Sequence, residues 1–536
     1  VKINQKDHAQ GHICPDSALW LKLGPQGLME KAKEKWCAAL AVFVCGFMAH
    51  GYFFTNKISY HDDSCYYFGV GMTFGSGRWA LGLIQKVMNK VGFLNYSSSW
   101  WNGGLCILLT AVCAVLLVEL LQIRQKSYAV LLGALLIAFP AMASLFAYMF
   151  TAPYYMFAVL LMIVAVYTAV RYPYGYLPAI VIIAFSMGIY QTYFGVATSL
   201  FVLILLRDME DRSFAQNVME AFKYLFTLLG GMLLYFLCNR VCIKIFQITL
   251  VEYQGINNMA NVTMRSLIGS VKRAYLGFFQ PIFQDLCGIS SHRTIRFLYL
   301  LIYIIAGGLV IKQLCKKEIE LWNRIYFFVL CCMIPLSLNI IYVMSVSDKT
   351  VIHTLMIYPY LIGLLYPMVF LKKENLHHKI WKSISMLYCV VAALLSVYYM
   401  KLDNVAYLKA DYQQQTAISY YTEVISQIKD LDGYNSKMPV LFYGTAGSKD
   451  ESIPEQWQFD VVDLQGYGNN MHDFIAYYAN KDFIELHCGY TYQEPENRDS
   501  IISSMQFQEM PQYPCDGSIK IIDGVVVVKW SNIEVR

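Results

Sequence analysis

Nine stretches of this chain are apolar over roughly 17–22 consecutive residues, the length at which a helix rising 1.5 Å per residue crosses ~30 Å of hydrocarbon. They lie at residues 36–54, 102–122, 128–147, 152–170, 223–243, 295–311, 325–344, 354–371 and 381–399. A backbone in lipid must satisfy its own hydrogen bonds, so the pattern predicts a mainly α, polytopic membrane protein. Composition agrees, with 15% charged residues against about 25% in ordinary soluble domains.

Residues 177–206 form a tenth apolar stretch, too long for one crossing and short for two. Charge decides between them. If the stretch is a hairpin of two short helices broken around Tyr190-Gln191-Thr192-Tyr193, the basic loops fall on one side. Those loops carry Arg124 and Lys126, Arg171, Arg207 and Arg212, Lys312, Lys316, Lys317 and Arg324, and Lys372, Lys373, Lys379 and Lys382. They then share a side with Lys31, Lys33 and Lys35, and an excess of Lys and Arg marks that side as cytoplasmic. The expectation is eleven transmembrane helices, with the N-terminus inside and the C-terminus outside.

Three regions follow: a cytoplasmic N-terminal segment at 1–35, a membrane domain at 36–400, and an extracytoplasmic domain at 401–536. The first segment is polar and basic and carries no expected cleavable signal peptide. Charge separates the other two, because residues 1–400 have a balance of +15 and residues 401–536 one of −10. The basic excess is accounted for by cytoplasmic loops, so no nucleic-acid partner is implied.

The outer face collects residues 55–101, 244–294 and the tail. Within the loops, Cys65–Phe74, Trp79–Phe93 and Met264–Phe279 mix apolar and polar positions at roughly helical spacing, as in helices lying at the interface. The tail is helical to about Asp430, then has an apolar strand at Pro439–Gly444. Its end is a hairpin of Ile519–Ile522 and Val525–Trp530 around Asp523-Gly524, which predicts a small α/β domain. Most of the 15 Cys lie in apolar runs and no CxxC or Cys/His metal spacing occurs, so no metal cluster is expected. Cys488 and Cys515 could be bonded or free.

The chemistry-bearing residues concentrate after the first span. Tyr60-His61-Asp62-Asp63 puts two carboxylates at the outer lipid boundary, where they need water, a cation or a substrate, or where one of them caps a helix N-terminus. Cations on the outer side are informative because cytoplasmic bias does not explain them. Arg78, 16 positions after Asp62, and Arg240 with Lys244 are the phosphate candidates; snorkelling or a salt bridge is the competing account of Arg78 and Arg240. Gln191, flanked by Tyr190 and Tyr193, sits where backbone breaks at membrane depth, free to bind a sugar hydroxyl or to pair with nearby backbone. Asp348, Lys349 and His353 read as an outer gate or as a solvated loop. Glu119, near a cytoplasmic helix end, reads as a paired or snorkelling acid. Trp457, Tyr467, Tyr477, Tyr478, Tyr490 and Tyr492 in the tail suit either glycan contact or a core.

Tyr60–Asp63 followed by Gly77-Arg78-Trp79 leading into an interfacial helix resembles the bacterial serotype-converting membrane glucosyltransferase family, which glucosylates O-antigen. The Tyr190-Gln191 break and a tail opening with a helix resemble it too, over residues 36–450 in layout. The resemblance implies a GT-C architecture and transfer of glucose from a polyprenyl-phosphate donor to a surface glycan on the outer side of the bacterial inner membrane. It assigns the base to Asp62 or Asp63, with Arg78, Arg240 and Lys244 toward the donor phosphate and Tyr60, His61, Tyr190, Gln191, Tyr193 and His353 toward sugar or acceptor. A donor-synthesising glycosyltransferase and a flippase are the implied partners.

A phosphate leaving group needs no general acid, so one carboxylate suffices, and a single displacement inverts the anomeric carbon. The sequence calls for no cofactor and leaves a divalent cation open. It shows neither a nucleotide-sugar Asp-x-Asp signature nor a phosphate loop. Two alternatives remain at this point: a polysaccharide polymerase or ligase using a lipid-diphosphate oligosaccharide, and a transporter, which would need charges near the midplane and two related halves.

Overall fold

A computed structural model describes residues 25–249, 263–344, 352–371, 379–447 and 477–532, with Leu464 and Ile475. Side chains are described from residue 33 onward, those of His61 and Tyr477 excepted. Lys31, Lys372, Lys373, Asp348, Lys349, Trp457 and Tyr467 therefore lie outside what is described. Among the described residues nine helices are long and apolar enough to cross a membrane, and Lys126–Ala138 and Tyr176–Ile189 are shorter apolar helices.

The bundle begins with α1 (Pro25–Thr55); the loop after it carries α2 (Trp79–Lys90) and leads to α3 (Ser99–Leu120). Next come α4 (Lys126–Ala138), α5 (Ala141–Phe146), α6 (Ala152–Arg171), α7 (Tyr176–Ile189) and α8 (Phe194–Asp208). The sequence predicts one span over 128–147, but Pro140 ends α4 early. Phe139, the residue before it, is extended at ψ 129, as the proline ring demands. The carbonyls thus left open are taken by distant side chains. His50 Nε2 donates to Ile137 O at 2.8 Å, and Tyr358 O–H donates to Leu136 O at 3.1 Å.

The helix ends show which way each runs. Lys35 pairs with Glu119 at 2.5 Å, Tyr167 donates to the same carboxylate at 2.8 Å, and Arg207 donates to Leu120 O. The C-terminal ends of α3, α6 and α8 therefore meet at the start of the apolar part of α1. At the opposite end Tyr155, near the start of α6, stacks on Tyr190 just past α7. The chain accordingly reverses at residues 190–193, and α7 and α8 form the short hairpin predicted from length and charge. Glu119 is a paired acid.

The rest of the bundle is α9 (Phe214–Phe246), α10 (Met264–Phe283), α11 (Arg293–Cys315), α12 (Leu321–Leu338), α13 (Ile341–Met344) and α14 (Tyr360–Leu371). A reciprocal pair of side-chain bonds between Ser213 and Gln216 starts α9, and one between Thr263 and Ser266 starts α10.

Last comes α15 (Lys379–Lys429), a single helix of 51 residues that leaves the bundle and enters the C-terminal region. There β1 (Val440–Tyr443), β2 (Ile519–Ile522) and β3 (Val525–Lys529) form a sheet of order β1-β3-β2, parallel between β1 and β3 and antiparallel between β2 and β3. Asp523 and Gly524 both take positive φ, 48° and 77°, the geometry a two-residue hairpin turn requires. Cys488 and Cys515 are free thiols.

Candidate functional site

The loop after α1 folds differently from its expected pair of interfacial helices. Trp79–Lys90 is a helix, but Cys65–Phe74 is a series of turns. Glycines are the cause. Gly71 sits at φ 75, where an added Cβ would come within 2.8 Å of the Phe150 ring, and the Gly69 carbonyl is drawn off by Asn95 Nδ2. Opened out, this loop grips residues 149–150 with three side chains. Asn102 donates to Met149 O at 2.9 Å, Asn95 donates to Phe150 O at 2.9 Å, and Asp63 accepts from Phe150 N at 3.2 Å.

That last contact separates the two carboxylates. Asp63 is 3% exposed, and its Oδ1 accepts from Ser97 Oγ at 2.5 Å as well as from Phe150 N. Burial pushes its carboxyl up to about 7 against the lowering effect of those bonds, and the charge of Asp62 adds to the rise. Asp62 is only partly buried, and its Oδ1 accepts from the Tyr478 hydroxyl. Neither caps an α-helix; both sit in one tight turn, His61–Asp63. Tyr60, at 3% exposure, is a core residue beneath that turn.

Asp63 also lines a mixed polar and apolar cavity of about 340 Å³ beside the start of α3, with Lys57, Ser59, Ser97, Ser98 and Ser99 among aromatic and aliphatic side chains such as Phe54, Ile58, Tyr67, Tyr96 and Trp100. Sequence reasoning missed Lys57 and the serines. The rule that picked out Arg78, a cation on the side where cytoplasmic bias fails, applies equally to Lys57 two residues past α1.

A second group forms around Arg78. Tyr155 and Tyr190 stack with centroids 4.2 Å apart, and the Arg78 guanidinium lies 5.1 Å from the Tyr190 centroid and 5.7 Å from that of Tyr155. The turn carrying Arg78 is held from the hairpin break: Gln191 Nε2 donates to Ser76 O at 3.1 Å and to the Tyr235 hydroxyl at 2.9 Å, and Tyr235 donates to Gly77 O at 3.1 Å. Gln191 thus pairs with backbone and positions Arg78. Tyr193 is a buried core ring packed on Tyr155, Tyr190 and Tyr358.

The two groups share a support. Phe150, whose amide holds Asp63, and Tyr155, whose ring underlies Arg78, are five residues apart, so their Cα atoms are separated by at most about 18 Å. The remaining candidates are not gathered here. Arg240 and Lys244 are exposed on α9, on the opposite side from Tyr235 and Asn239, which face the Arg78 turn. His353 is half-buried beside the turn that Thr354 Oγ1 fastens to Cys287 O at 2.6 Å, and does not line the Asp63 cavity. Among the described residues no three His, Cys, Asp or Glu side chains gather as a metal site.

An acid and cations thus gather at one end of an apolar bundle. No curated protein and no solved structure matches the chain. A family model does: Glucosyl transferase GtrII matches residues 51–368, which include both carboxylates, Lys57, Arg78, the short hairpin and the Arg240 helix. With more than half of its length covered, this membrane-spanning chain belongs to the GtrII glucosyl transferase family.

Proposed function

We propose that the protein moves a hexose, glucose by its family, from a polyprenyl phosphate to a surface glycan on the outer side of the cytoplasmic membrane, with Asp62 as the base. The observation that carries this reading is the unequal treatment of two neighbouring acids. Asp63 is driven inward and its Oδ1 is shared by Ser97 and Phe150, so it anchors the turn, whereas Asp62 keeps a partly exposed carboxylate.

In the reaction the acceptor hydroxyl gives its proton to Asp62 as its oxygen bonds to the anomeric carbon. The bond from that carbon to the phosphate oxygen breaks, and its electron pair leaves on the polyprenyl phosphate. Attack and departure on opposite faces invert the centre. Lys57 and Arg78 are the cations suited to the donor and departing phosphate. GT-C architecture, eleven spans and an extracytoplasmic tail complete the proposal. The grouping of Lys35, Arg171, Arg207, Arg212, Lys316 and Arg324 at one end of the helices supports that orientation.

The test is a donor assay in proteoliposomes comparing polyprenyl-phosphate glucose with a lipid-diphosphate oligosaccharide, run on the wild type and on Asp62→Asn. Transfer of the monosaccharide alone, lost in the variant with membrane insertion intact, is the expected result. Use of the oligosaccharide would make the protein a polymerase or ligase.

A further inference from the structure

Residues 478–488 lie beyond the stretch that defines the family, yet they meet the acid-bearing loop at three points. The Tyr478 hydroxyl donates to Asp62 Oδ1. The Cys65 thiol lies within the field of Asp482; burial, then the charges of Asp482 and Asp62, hold that thiol well above its usual range. His487 lies within the field of Lys57, which adds to the effect of burial in pushing its imidazole down to about 4.

The placement of this segment does not depend on the Asp62 contact. Phe483 and Ile484 are fully buried, and Asn480 Oδ1 accepts from Tyr421 O–H at 2.6 Å, with the Tyr421 ring against Phe483. Tyr421 belongs to α15. Seven residues earlier on the same helix, Gln414 accepts from Ser59 N at 2.8 Å and donates to Lys57 O at 2.5 Å, and one turn before that Asp411 accepts from Tyr52 at 2.7 Å. About 10 Å of one helix therefore fixes both the loop that carries Asp62 and the segment that carries Tyr478.

We propose that Tyr478 is a positioning residue for Asp62, and that the C-terminal region thereby completes the catalytic site. The phenol on Oδ1 fixes the plane in which the carboxylate meets the acceptor hydroxyl. A hydrogen bond to an ionised carboxylate is roughly twice as strong as one between neutral groups. Much of that strength acts on the orientation of the base, which governs turnover more than donor affinity. The inference rests on Asp62 being the base.

The experiment measures glucose transfer by Tyr478→Phe, Asp62→Asn, Asp482→Cys and Tyr478→Phe/Asp482→Cys, the last two after oxidation to join Cys65 to the new thiol. The crosslinking yield reports docking of the segment with or without the hydroxyl. The expected result is a fall in kcat of roughly tenfold or more for Tyr478→Phe, donor KM within about twofold, undiminished crosslinking and no recovery in the oxidised double variant. Wild-type kcat in Tyr478→Phe while Asp62→Asn is inactive overturns the positioning role. So does recovery on crosslinking, since Tyr478 would then be serving only as a docking contact. Full activity of Asp62→Asn instead overturns the reading of the base on which this rests.

Discussion

Gln191 and Ser76 are 115 residues apart in sequence and joined by a 3.1 Å hydrogen bond from the side-chain amide to the backbone carbonyl. Through it the break between two short helices fixes the turn on which Arg78 stands. Replacing Gln191 by Leu leaves the buried Ser76 carbonyl and Tyr235 hydroxyl without that partner, at a cost of about 1–3 kcal/mol. The expected outcome is a lower unfolding midpoint in detergent together with a raised donor KM. Gly77→Ala should act in the same direction, since its Cβ would fall 2.8 Å from the Tyr235 hydroxyl at a φ of 73.

Asp63 gives the protein a pH signature. Its carboxyl stands at about 7 in the fold, against about 3.9 in an unfolded chain. Between those values the folded state binds more protons, so this contribution to stability is complete below the unfolded value and is lost as pH rises through 7. Asp63→Asn keeps an acceptor for Ser97 and Phe150 and removes the titration. Relative to the variant, the wild-type unfolding midpoint should fall between about pH 4 and pH 7, by an amount equivalent to at most about 4 kcal/mol. Equal pH profiles for the two proteins would refute this account of the anchor.

The candidate cations divide by direction. Lys57 opens onto the Asp63 cavity and Arg78 lies over the tyrosine pair, while Arg240 and Lys244 point away. Lys57→Ala and Arg78→Ala should each raise donor KM on the order of tenfold, and Arg240→Ala and Lys244→Ala should leave it within about twofold. Steady-state kinetics with a polyprenyl-phosphate sugar would reverse the assignment if the exposed pair proved the sensitive one.

Asp403, on α15, is fully buried, and among the described residues neither carboxyl oxygen has a hydrogen-bond partner. Burying such a group unpaired costs about 1–3 kcal/mol on mutational scales. Asp403→Leu should raise the unfolding midpoint in detergent. If turnover is lost alongside that gain, the carboxyl is retained for function, as ionisable groups within membrane proteins commonly are.

Features governed by local chemistry were readable in advance. The reversal at Tyr190–Tyr193 follows from a 30-residue apolar stretch that suits neither one span nor two, and the β2–β3 hairpin follows from Asp523-Gly524. Pro140 was outweighed by the apolar residues around it, so α4 and α5 read as one span. Glycines at 69 and 71 were passed over in the same way where turns replace a helix. What the site residues touch lay further out of reach. Asp62 and Asp63 are adjacent and identical in type, and only partners 34, 87 and 416 positions distant, Ser97, Phe150 and Tyr478, tell them apart.

The unbroken α15 has a mechanical consequence. At 1.5 Å per residue its 51 residues extend about 77 Å, far more than the ~30 Å of hydrocarbon it crosses. With no hinge between Trp381 and Tyr421, a change in tilt forced by a thinner or thicker bilayer becomes a sideways swing beyond the lipid. About 10° would displace a point 40 Å along the rod by roughly 7 Å. Turnover measured across a series of acyl chain lengths should therefore peak at one thickness, making the enzyme a gauge of its own membrane.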